Sequence, residues 1–103
     1  MNVQYTPIAL ERLDYIFDYT ETIWGFDQAL RYTRGLRSMV EQAASGNLLT
    51  RAIPKEYGVI GSFIRFKSHF VYLQEDELGE VFVMTILHVQ MNQAARLLED
   101  LNI

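Results

Sequence analysis

Apolar positions along the chain change their period midway. Residues 2–6 alternate in the manner of a strand and run into Thr6-Pro7, a helix start, since the hydroxyl can cap free amides and Pro fits the first turn. Beyond it Ala9, Leu13, Ile16, Phe17, Thr20, Ile23 and Trp24 recur at steps of three and four, which predicts an amphipathic helix. Gly25 is placed to end it through a left-handed conformation. Asp27 is placed to cap a second helix, striped by Ala29, Tyr32, Thr33, Leu36, Val40 and Ala43 and stopped by Gly46-Asn47. So short a link folds the two helices into an antiparallel hairpin. Gly35 within the second helix costs about 1 kcal/mol against Ala, and this predicts close packing there.

In the second half, Tyr57–Phe66, His69–Gln74 and Val81–His88 are rich in Val, Ile, Phe and Tyr, the side chains that suit a pleated surface. Lys67-Ser68 is a tight link and Asp76–Gly79 a polar turn, so the three strands should form an antiparallel meander. Asn92 is placed to cap a short C-terminal helix with Ala94, Leu97, Leu98 and Leu101 on its apolar side. The order β-α-α-β-β-β-α predicts an α+β fold of two layers, a helical hairpin packed on an antiparallel sheet. With no repeat or linker in its 103 residues, the chain reads as one domain spanning residues 1–103.

Composition narrows the function classes. The absence of Cys removes disulfides, thiol catalysis and Cys-based zinc sites together. No apolar run approaches the roughly 18 residues of a membrane span, and Met1-Asn2-Val3-Gln4 is no signal peptide, so a soluble, cytoplasmic protein is expected. A net charge of −4 argues against direct DNA binding. Within that acidic chain lies a basic island, Arg51, Lys55, Arg65 and Lys67 against the single Glu56. Six Tyr, six Phe and one Trp exceed what two thin layers can bury, which predicts apolar surface facing a partner.

Candidate chemistry is sparse. His69 and His88 each lie beside a predicted strand, with no acidic residue at ligand spacing, so neither a metal nor any other cofactor is implied. Phosphate-cradling and hydrolase-elbow motifs are absent. One catalytic arrangement survives: Arg51, Lys55, Arg65 and His88 could cleave RNA, the cations stabilising the phosphorane while a base activates the 2′-hydroxyl. The same four residues read equally well as solvated charges.

Three blocks in order carry a family resemblance. They are Tyr5-Thr6-Pro7-Ile8-Ala9 through Leu13, Ile16 and Tyr19 to Trp24-Gly25, with Gln28-Ala29 and Tyr32; Arg65 followed by Ser68-His69-Phe70-Val71-Tyr72; and Ile86-Leu87-His88-Val89-Gln90-Met91-Asn92. Together they resemble the ParE toxins of the RelE/ParE superfamily. The resemblance implies the RelE/ParE-like fold and a toxin of a type II toxin–antitoxin pair. It also implies neutralisation by a ParD-like antitoxin and action on DNA gyrase by inhibition or poisoning, without enzymatic activity. A ribosome-dependent mRNA endonuclease using Arg65 and His88 is the alternative, and an inactive relative that only binds its antitoxin a third. Gln90 and Asn92 stand where the family ending more often has Arg and Asp. The resemblance places target contact at His88, Gln90, Met91 and Asn92, with Arg65 beside them. Trp24-Gly25 is expected to form the hairpin turn with the indole packed over the helix ends, Ser68 and His69 to shape the strand turn, and Tyr72 to lie on one sheet face.

Overall fold

A computed structural model describes residues 3–102. Strand β1 (Val3–Tyr5) leads into helices α1 (Pro7–Trp24) and α2 (Phe26–Ala44). The chain continues through β2 (Arg51–Ala52), a 3-10 turn (Lys55–Tyr57), β3 (Ser62–Phe66), β4 (His69–Glu75), β5 (Val81–His88) and α3 (Gln93–Asp100). The sheet runs β1-β5-β4-β3-β2. From β2 through β5 neighbouring strands pair antiparallel, as expected of the meander, while β1 pairs parallel to β5, the chain between them running through the helical hairpin and the other three strands. Thr6 caps α1, its hydroxyl accepting the Ala9 N–H at 3.2 Å and donating to the Met84 carbonyl at 2.7 Å, so one side chain starts the helix and fastens it to β5.

Three local expectations shift. Gly25 does turn the hairpin, with φ 94° and ψ 168°, a region essentially restricted to Gly, and it serves as the cap of both helices. Asp27 therefore falls inside the first turn of α2 instead of capping it. The predicted strand Tyr57–Phe66 is real only from Ser62, because Gly58 is left-handed and Gly61 sits at φ 154°. A Cβ on Gly61 would lie 2.5 Å from the Leu73 carbonyl, so the backbones approach too closely there for any other residue. The two-residue β2 is too short for a periodicity to reveal. At Gly35, by contrast, the expected close packing is present: a Cβ would meet the Phe66 ring at 2.8 Å.

Both faces of the sheet are covered, which extends the two-layer expectation. Ala9, Leu13, Ile16, Leu36 and Val40 of the hairpin pack on Ile64, Val71, Leu73, Val81, Val83 and Ile86. On the opposite face Leu97 of α3, with Ile53 and Val59, covers Tyr72, Met84 and Leu87. A bulge in β5 makes this division. Leu73 pairs with Val83 and Tyr72 with Thr85, leaving Met84 as the extra residue that reverses the in–out alternation.

The C-terminal helix is held by a buried carboxylate. Asp100, its side chain 3% exposed, accepts hydrogen bonds from Arg12 Nε (3.2 Å) and Nη2 (2.6 Å) and from the Thr85 hydroxyl (2.8 Å). Removing one member leaves the other charge desolvated. Asp100→Ala is therefore expected to cost about 3 kcal/mol in urea denaturation, and adding Arg12→Met to it should return part of that loss. Gly35→Val should destabilise by about 2 kcal/mol through overpacking against Phe66.

Candidate functional site

A groove of about 660 Å³ opens between α1, the β3–β4 turn, the end of β5 and the start of α3. Its α1 wall is aromatic. Tyr15 and Tyr19, one turn apart, are 66% and 58% exposed and lie with rings nearly parallel at 6.4 Å. Trp24 is 72% exposed and faces the groove, so its indole does not pack over the helix ends as expected. Phe26, the first residue of α2, meets the Phe17 ring edge-on at 5.8 Å and is itself half exposed.

The floor holds the two histidines. His69 and His88 are direct cross-strand partners, and their rings meet edge to face at 5.3 Å. Tyr32 of α2 reaches His69 Nδ1 at 2.7 Å while its oxygen accepts the Ser68 N–H at 3.2 Å. The Ser68 carbonyl accepts the Val89 N–H at 2.9 Å, which joins the β3–β4 turn to the chain leaving β5. Lys67, at φ 50°, carries its ammonium over the Tyr32 and Phe66 rings at 5.8 and 5.4 Å. His88 Nδ1 accepts the Gln90 N–H at 3.1 Å. The neutral imidazole therefore keeps its hydrogen on Nε2, where it is a donor and not a metal ligand. Burial, and then the neighbouring His88, push the His69 pKa down to about 4.

Other expected site residues lie apart. Arg65 points to the opposite face of the sheet, over the Phe70 ring at 5.8 Å with Nε donating to the Lys67 carbonyl. Arg51 shares that face, being registered with Phe63 on the neighbouring strand. The expectation of Arg65 beside His88 is thus corrected, because consecutive strand residues alternate and His69 and Phe66 face the helices. Tyr72 is buried on the second face and donates to Gln93 Oε1 at 2.7 Å; burial, and then Tyr57, push its pKa up to about 12. Gln90 is exposed, Met91 half-buried against the groove, and Asn92 caps α3 by accepting the Ala95 N–H at 3.1 Å.

The sequence reading missed Tyr15, Lys67, Arg12 and Arg96 as groove residues. Tyr15 carried a signal, since with Tyr19 it makes an aromatic pair four residues apart, off the core stripe. The titratable lining is Arg12, Lys67, His69, His88 and Arg96 with the Tyr hydroxyls, and it includes no Asp or Glu. Among the described residues no group of three His, Cys, Asp or Glu could hold a metal.

The depressed His69 pKa has a stability consequence. The unfolded chain takes up the proton near its ordinary 6.5 while the folded chain resists it to about 4, so the contribution is complete above pH 6.5 and lost as pH falls toward 4. Discounted for partial exposure, it amounts to about 1 kcal/mol. The drop in Tm between pH 7.5 and 5 should be smaller in His69→Gln than in the wild type.

Comparison with known proteins accords with this geometry. Residues 3–93 match the family model described as the ParE toxin of the type II toxin–antitoxin system, parDE. The chain is 30% identical over 90 residues to Toxin ParE1 of Mycobacterium tuberculosis, in both strain CDC 1551 / Oshkosh and strain H37Rv, covering 84% of this chain and 88% of the relative. Its fold superposes with a TM-score of 0.70 on a chain of the chromosomal ParDE TA system from P. aeruginosa, over 87% of this chain and 97% of that one, at 17% identity. With the family model matched over most of its length, this chain belongs to the ParE toxins of type II toxin–antitoxin systems.

Proposed function

We propose that the chain, free of its partner, is a cytoplasmic inhibitor of DNA gyrase that blocks replication by binding, and that a ParD-like antitoxin holds it inactive. One observation supports the non-enzymatic reading: the arrangement expected for RNA cleavage does not form. Arg51 and Arg65 lie on one face of the sheet and His88 on the other, and the His88 that shares the groove with Lys67 and Arg96 has its Nδ1 lone pair occupied by the Gln90 N–H. Target contact is assigned to the turn from His88 to Asn92, where Gln90 and Asn92 are exposed and His88 and Met91 line the groove. The antitoxin supplies the partner that the exposed Tyr15, Tyr19, Ile23, Trp24 and Phe26 call for. No helix among the described residues is long and apolar enough to cross a membrane, which accords with action inside the cell.

Induction of the chain alone should arrest growth with filamentation and a DNA-damage response while translation continues. Co-expression of the small protein encoded beside it should restore growth, and purified chain should inhibit gyrase supercoiling. A halt in translation within minutes, with supercoiling untouched, would establish the endonuclease alternative instead. Gln90→Arg, which restores the commoner cation, is expected to lower the inducer concentration needed for arrest.

A further inference from the structure

The groove's polarity is one-sided. Lys67, His88 Nε2–H and Arg96 present only hydrogen-bond donors, and the fifteen lining residues include no carboxylate. Asp100, which pairs with the lining residue Arg12, is buried and already occupied by Arg12 and Thr85. Lys67, exposed on the β3–β4 turn that lines the groove, has its ammonium over two aromatic rings, so its charge is placed before any ligand arrives. Above this floor stands the exposed wall of Tyr15, Tyr19 and Trp24.

Each half of the groove excludes a simple occupant. A purely apolar segment would cover the aromatic wall but bury cations without partners, at a cost of several kcal/mol. A polyanion such as nucleic acid would meet the floor, yet it would approach a chain of net charge −4. A polypeptide that pairs apolar side chains with a carboxylate satisfies both halves. We propose that an acidic side chain of the antitoxin's neutralising segment enters the floor and is bound by Lys67, His88 and Arg96, while apolar side chains of the same segment lie on Tyr15, Tyr19 and Trp24. This rests on the antitoxin pairing proposed above and adds the group that determines which antitoxin fits. The carboxylate accepts charge-assisted hydrogen bonds in a partly desolvated site, where such bonds are strongest.

The test uses the full-length chain and the protein encoded beside it, with Kd measured by calorimetry. Lys67→Met and Arg96→Met, checked by thermal melting for an unchanged fold, should each weaken binding about tenfold. Replacing the partner's Asp and Glu residues one at a time by Asn or Gln should reveal one position with a similar loss. That loss should shrink when combined with either toxin variant, the mark of a direct pair. Trp24→Ala should also weaken binding, with a loss that does not change between 50 and 500 mM salt. A folded Lys67→Met/Arg96→Met double variant that binds with wild-type Kd would overturn the proposal, as would full additivity at every acidic position. Failure of the wild-type chain to bind the neighbouring protein at all would instead remove the pairing itself, and the proposal with it.

Discussion

One extra residue in the last strand sets both the core and the groove. Through Val83, β5 turns its odd-numbered residues to the helical hairpin; beyond Met84 the even-numbered Ile86 and His88 face it instead. Without that bulge, His88 would point at α3, and Leu87 would lose its place against Leu97. The bulge lies where β1 ends, at the level of Val83, and where the Thr6 hydroxyl reaches the Met84 carbonyl. A backbone irregularity, a helix cap and the end of an edge strand thus coincide, and the groove begins where that strand stops.

Charge placement follows from the same geometry. The basic island of the sequence is split by strand alternation and by the β3–β4 turn. Arg51 and Arg65 go to the face shared with Phe63 and Phe70, and Lys67 goes to the groove. A chain of net charge −4 therefore carries a local positive floor without becoming a general polyanion binder. Asp100 could have neutralised that floor but is drawn under it by Thr85 and Arg12, where it secures α3.

Much of this was legible in the residues. Thr6-Pro7, Gly25, Asn92 and the 3.6-residue stripes mark the helices because capping and periodicity are local properties. Gly35 announced a close approach that Phe66 indeed makes. What stayed hidden depends on pairing between distant segments. Neither the parallel β1–β5 ladder nor the Met84 bulge leaves a local mark, and the bulge decides which face His88 takes. Reading Arg65 and His88 as neighbours failed for that reason. The indole of Trp24 is expected in a packing role because large apolar residues usually bury, but both it and Phe26 at the hairpin turn stay exposed.

The most direct measurement is amide hydrogen exchange on the chain with and without the protein encoded beside it. The account predicts slowed exchange in residues 15–24, at Lys67–His69 and from His88 to Met91, with Ser62–Phe66 and β2 unchanged. Protection confined to β2 and β3, with the groove exchanging as in the free chain, would contradict it.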